Sequence, residues 1–166
     1  MPAKRQPALD RIDIKILAAL QRDGRSTNQK VAEAVGLSAR ACLERVRRLE
    51  AAGIITGYQA MVELAHLSRP INIFAEIVLE RQAQQRRLEK RLTSFDEVVE
   101  CWEVSGTVDY LARFVCPDLA AYEVLTAALI DDPSLGVARI VSHVALRPIR
   151  RFAGYPDILL SPRQRE

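Results

Sequence analysis

The stretch Leu37–Glu50, LSARACLERVRRLE, puts four arginines into nine positions of a segment with helical periodicity. On a wheel of about 100° per residue, Cys42, Leu43, Val46 and Leu49 share an arc of roughly 120°. Arg40, Glu44, Arg47 and Arg48 take the opposite arc and Arg45 a flank. One face serves a core. The other has two readings, a solvated salt-bridge ladder through Arg40, Glu44 and Arg48 at i, i+4, i+8, or a surface aimed at an anion. Such pairs add only about 0.2–0.5 kcal/mol each, and Arg preceding Glu is the weaker orientation, so the flanking sequence decides.

Upstream, Ile12, Ile16, Leu17 and Leu20 recur at helical spacing, with Asp10 as N-cap, Asp13 three residues on, and Gly24 as the expected stop. Ser26, Thr27 or Asn28 can cap a short second helix with Val31, Ala32 and Val35 inward. Gly36 then supplies a tight turn, Leu37 an anchor, and Ser38 the N-cap of the arginine helix. Two helices joined by a Gly turn, the second basic outside, form a helix-turn-helix, which lays its second helix in the DNA major groove. That context favours DNA contact for the arginine face.

Charge agrees. The chain carries a net +3, but residues 1–60 hold 11 Lys/Arg against 6 Asp/Glu, and residues 61–166 hold 13 against 15. The basic excess sits with the arginine helix and suggests a polyanion partner for that part alone. At 49% hydrophobic and 27% charged residues, the composition is that of a globular protein. Apolar runs fall far short of the roughly 20 residues needed to span a bilayer, and the N-terminus lacks a secretory apolar core, so a cytoplasmic location and no membrane partner are expected. Cys42, Cys101 and Cys116 are odd in number, widely spaced and set in apolar patterns, which predicts core side chains rather than disulfides or zinc ligands.

"LDRIDIKILAALQRDGRSTNQKVAEAVGLS" and "CLERVRRLEAAGIITGY" together resemble residues of the leucine-responsive regulatory protein/AsnC (Lrp/AsnC) family of bacterial transcription regulators, over positions 9–58. The resemblance implies a winged helix-turn-helix, with Ser38, Arg40, Arg45, Arg47 and Arg48 as candidate DNA contacts. Where relatives often open this helix with Pro-Thr-Pro, this chain has Ala39-Arg40-Ala41, which puts a long donor where base edges would be read.

Further on, "INIFAEIVLE" alternates with period two, Ile71, Ile73, Ala75, Ile77 and Leu79 against Asn72, Glu76 and Glu80, as in a half-buried strand. "QQRRLEKRLTSF" reads as a helix with Leu88, Leu92 and Phe95 inward and its Arg/Lys cluster as a solvated face in preference to a second nucleic-acid patch. "VVECWEV" and "YLARFVC" are strands around "SGTVD". "DLAAYEVLTAALIDD" is a helix capped by Asp118, with Leu119, Tyr122, Leu125 and Leu129 inward, and "GVARIVSHVALRPI" is a last strand. Trp102 and Tyr110 read as packing residues on strand faces. The order βαββαβ is ferredoxin-like. The fold class is therefore α+β, a winged helix-turn-helix followed by a ferredoxin-like domain. The expected divisions are a basic arm 1–8, a DNA-binding domain 9–60, a linker 61–70, a sensing and oligomerisation domain 71–150, and a tail 151–166, which either packs across a subunit interface or ends free.

The second part also resembles the effector-binding domain of the same family, through "VSGTVDYLARFVCPDLAAYEVL". There a Gly-Asp-Tyr-Asp-type loop lies near an amino-acid effector at a contact between dimers. Here the loop is Gly106, Thr107, Val108 and Asp109, so Gly106 and Asp109 match and the other two do not; a plain hairpin turn would use the same residues. The resemblance implies a homodimer assembling further to an octamer, double-stranded DNA and an amino acid as partners, and target genes of amino-acid metabolism or transport. No nucleotide loop, metal spacing or nucleophile elbow occurs, and no cofactor is expected. Two alternatives stand beside this regulator. Siroheme decarboxylases share the architecture but need histidines around a tetrapyrrole, and the chain has only His66 and His143. A nucleoid-type DNA binder without an effector would differ only in the loop.

Overall fold

Asp10 starts the first helix. Its Oδ1 accepts the N–H groups of Ile12 and Asp13 at 2.9 and 2.8 Å, and Asp13 Oδ2 accepts the N–H of Asp10 at 3.0 Å, so two aspartates close a full capping box. Helix α1 (Arg11–Arg22) stops two residues before the expected glycine. Asp23 leaves the helix extended, and its side chain accepts from Arg25 N–H and Ser26 Oγ. Aspartate turn chemistry thus ends α1, and Gly24 does not adopt a positive φ. Thr27 caps α2 (Asn28–Val35), Gly36 closes it at φ 74°, and Ser38 Oγ accepts the N–H of Ala41 to begin α3 (Ala39–Ala51).

The computed structural model describes residues 8–80 and 84–160; the N-terminal arm up to residue 7 and the last six residues lie outside the described residues. The chain divides into two units, one up to Met61 joined by the residues from Arg150 on, the other Val62–Ile149. In the first, Ile16, Leu17, Val31, Ala32, Val35, Cys42 and Leu49 form the core. Each fully buried Ile or Leu there contributes roughly 1.5–3 kcal/mol. Leu43, expected inward, is exposed because it lies at the edge of the arc, about 100° round from Cys42. After α3, Ile54 and Ile55 both donate backbone N–H to Leu49 O and pack partly on this core. Among the described residues the first unit contains no strand.

The tail docks on α1 of its own chain and does not end free. Tyr155 N–H donates to Gln21 Oε1 at 2.7 Å, and Gln21 Nε2 donates to Tyr155 O at 3.3 Å. Phe152 and Tyr155 stack edge-to-face, and a final turn, α6 (Asp157–Leu160), brings Leu160 against the core.

In the second unit, strands β1 (Ile71–Leu79), β2 (Val98–Glu103), β3 (Tyr110–Cys116) and β4 (Val137–Val144) alternate with helices α4 (Gln85–Leu92) and α5 (Leu119–Ile130) in βαββαβ order. The sheet order is β2-β3-β1-β4, all neighbours antiparallel. Ile73, Ala75, Ile77, Tyr110, Ala112 and Phe114 meet Leu88, Leu92, Tyr122 and Leu129 of the helices. The opposite face carries Phe74, Leu111, Val141 and Trp102 with the ion pair Arg113–Glu100. Three expectations change here. Cys101 is exposed, because edge strand β2 outruns the cover of the helices, whereas Cys42 and Cys116 are buried. Trp102 is 65% exposed on the helix-free face, and Leu119 is 52% exposed in the first turn of α5.

Candidate nucleic-acid interface and effector loop

Helix α3 presents its arginines in two sets. Arg40 Nε lies 3.2 Å from Glu44 Oε1 in a surface pair with both side chains largely exposed. Arg47 is exposed and forms no ion pair among the described residues. Arg45 and Arg48 turn the other way, to the start of α1. Arg45 Nη1 donates to Asp10 Oδ2 at 2.7 Å and to Asp13 Oδ1 at 2.8 Å, and Arg48 Nη2 donates to Asp13 Oδ2 at 2.6 Å. Asp13 is the buried charged residue of the described chain, with no solvent exposure. Its carboxylate is therefore satisfied by two guanidiniums and the N–H of Asp10. The N–H of Asp13, then the Arg45 guanidinium, hold the Asp10 carboxyl below its usual range, and Arg45 is raised in turn by Asp10 and Asp13.

The alternative reading, a ladder through Arg40, Glu44 and Arg48, therefore holds only for its first half. Sequence reasoning missed the Asp13 network, although Arg45 and Arg48 are spaced i, i+3 on the flank nearest α1. Other contacts set the pose of α3. Asn28 Nδ2 donates to Ala39 O at 2.6 Å, tying the first turn of α2 to that of α3, and the Tyr58 hydroxyl donates to Glu50 Oε1 at 3.0 Å. Ser38 and Arg40 thus lie at the exposed start of α3, Arg47 at its exposed middle, and Arg45 and Arg48 in the seam with α1.

The second candidate site is the β2–β3 loop. Gly106 has φ 126°, a conformation open to glycine. Asp109 closes the loop, since its backbone C=O accepts from Val104 and its N–H donates to Ile77 O. Its Oδ2 accepts the N–H of Leu79 at 2.7 Å, satisfying a backbone donor at the end of β1. Thr107 is exposed and Val108 half-buried. A cleft of about 80 Å³ lies alongside, lined by Leu79, Gln85, Glu103, Val104, Asp109 and Tyr110. Gln85 Nε2 bonds Glu103, and the Tyr110 hydroxyl donates to Glu89, where burial, then that carboxylate, pushes its pKa to about 12. Among the described residues no cluster of His, Cys, Asp or Glu could hold a metal ion, and no helix is long and apolar enough to cross a membrane.

Comparison with known proteins matches both parts. Residues 9–56 fit a family model described as winged helix-turn-helix DNA-binding, and residues 72–154 one described as the Lrp/AsnC ligand binding domain. The Bkd operon transcriptional regulator of Pseudomonas aeruginosa is 42% identical over 144 residues, 85% of this chain and 93% of its own. The leucine-responsive regulatory protein of Escherichia coli K12 is 42% identical over 154 residues, 90% of this chain and 93% of its own. A transcriptional regulator from Neisseria meningitidis, solved as an L-Met complex, superposes with TM-score 0.84 at 28% identity over 92% of this chain and 99% of its own. With two domain models matched in order and relatives aligned along most of its length, the chain belongs to the Lrp/AsnC family.

Proposed function

We propose that the chain is a DNA-binding transcription regulator in which Ser38, Arg40 and Arg47 face the duplex while Arg45 and Arg48 lock α3 to α1. The observation that carries this is the partition of the arginines, two bound to buried or half-buried carboxylates and two left on the outward face. Arg40 can exchange its exposed Glu44 partner for a base edge or phosphate at little cost, since surface pairs contribute about 0–1 kcal/mol. Arg45 and Arg48 act on DNA affinity through the pose of the helix. The names of the matched relatives favour regulation over the decarboxylase alternative.

The loop 106–109 is assigned to a small-molecule effector, an amino acid with an apolar side chain. The Neisseria relative was solved with L-Met, and Val108 offers an apolar wall. Small-molecule sites typically enclose about 300–1,000 Å³, so the 80 Å³ cleft is a fraction of such a site. A neighbouring copy supplies the other walls in this reading. The helix-free sheet face is the surface on which two copies pair, setting two heads on half-sites one helical turn apart.

Binding isotherms on operator and random duplex test the DNA reading. Arg47→Ala and Arg40→Ala should each cost on the order of 1–3 kcal/mol on the operator if they read base edges. Isotherms unchanged on both duplexes in both variants would make the outer face of α3 a solvated surface.

A further inference from the structure

Helix α4 holds a second concentration of positive charge. Arg86, Arg87, Lys90 and Arg91 occupy four of its eight positions, all exposed, while Leu88 and Leu92 are buried. They are four of the nine Lys/Arg in residues 62–149, a unit that carries thirteen Asp/Glu. The patch is thus local and runs against the charge of the unit that bears it.

The geometry is not that of a solvated ladder. Arg86 with Lys90 and Arg87 with Arg91 are like-charged i, i+4 pairs, a spacing that weakens a helix. The one carboxylate of α4, Glu89, accepts the Tyr110 hydroxyl at 3.0 Å. None of Arg86, Arg87 and Lys90 forms a salt bridge among the described residues. Arg91 lies over the Phe95 ring, 4.4 Å from its centre. Asp132 lies near Arg87 and Arg91, but its carboxylate accepts from Ser134 N–H.

We propose that Arg86, Arg87 and Lys90 of α4 bind the phosphate backbone of duplex DNA, a second contact that adds affinity without reading sequence. Phosphate contact needs only accessible cations, and guanidinium forks match phosphate oxygens. A protein partner would need an apolar centre to the patch, and the leucines of α4 are both buried. This proposal rests on the DNA-binding reading, because a second contact on a chain already tethered to a duplex is an intramolecular one and is favoured by effective concentration.

The test is the full-length variant Arg86→Gln/Arg87→Gln/Lys90→Gln, which keeps helix propensity and aliphatic stems. Affinity is measured against salt on an operator embedded in a duplex of a few hundred base pairs and on a random duplex of equal length, beside the parent and Arg47→Ala. Each lost phosphate contact should flatten the log–log salt slope by about 0.9, so by up to about 3 in all. Low-salt affinity should fall tenfold or more on both duplexes, while melting and light-scattering mass stay as in the parent. A parent-like slope and affinity in the triple variant would overturn the proposal while leaving the head reading intact. A loss that appears only with a change in mass would also overturn it, making the patch a contact between copies. If the parent itself binds neither duplex, the underlying DNA reading fails as well.

Discussion

Arg48 on α3 places Nη2 2.6 Å from Oδ2 of Asp13 on α1, a carboxylate sealed from solvent. The bond joins the arginine helix to the one that begins the fold, with Arg45 bridging Asp13 and Asp10 beside it. Removing one partner of a fully buried ion pair costs about 3–5 kcal/mol. Here the guanidiniums are partly exposed, 26% for Arg45 and 47% for Arg48, and water can solvate them when the acid is lost. Asp13→Asn should therefore lower stability by roughly 2 kcal/mol. Urea denaturation of the full chain measures this, and an unchanged midpoint would show that the network contributes nothing net.

The acid limit of the same network follows from Asp10. Its folded pKa is depressed, first by the Asp13 N–H and then by Arg45. A depressed carboxyl gives stability that is present above its unfolded value, near about 3.9, and lost as pH falls through the folded value. Asp10→Asn keeps an equally good cap but removes the charge. The melting difference between parent and variant should be visible near neutrality and vanish below the folded pKa. A difference that persists unchanged in strong acid would mean that the charge of Asp10 is not its source.

Much of this was legible because local chemistry and periodicity agreed. Asp10, Thr27, Ser38 and Asp118 cap helices as expected from residue type, and β1 alternates as its sequence does. What escaped depends on partners distant in sequence. The choice of Asp13 by Arg45 and Arg48 spans more than thirty residues, and a wheel shows only that those arginines leave the core arc. The pairing of Tyr155 with Gln21 spans 134 residues and has no local signature. Cys101 misled because a strand pattern does not say whether anything covers the edge on which the strand lies.

The helix-free sheet face gives a prediction of assembly. Phe74, Leu111 and Trp102 are 49%, 41% and 65% exposed on one surface, a patch of a kind that marks an interface. Leu111 sits beside Glu76 on one neighbouring strand and Trp102 on the other. Leu111→Arg should place an unmatched cation in that interface and shift the full chain toward smaller species by light scattering, with the monomer fold retained by circular dichroism. A mass identical to the parent's at micromolar concentration would exclude this face as the pairing surface.

Asp109 is the residue where the two readings of the β2–β3 loop separate. Its Oδ2 already accepts the N–H of Leu79, so part of the carboxylate is structural. Asp109→Asn retains a carbonyl oxygen for that N–H and removes the charge. Asp109→Ala leaves the N–H unpaired, which costs about 1–3 kcal/mol where water cannot replace the acceptor. If the loop is only a hairpin turn, Asn should behave as the parent and Ala should be merely less stable. If Asp109 also holds the ammonium group of an amino acid, Asn should fold as the parent yet bind that amino acid more weakly, because a charge-assisted bond is roughly twice as strong as a neutral one. The effector shifts DNA affinity only by its differential affinity for the protein's states, typically 1–3 kcal/mol of coupling. Calorimetric titration of parent and Asn variant with a panel of apolar amino acids, L-methionine among them, separates the cases. No heat from any of them at millimolar concentration with the parent would favour a DNA binder that works without an effector.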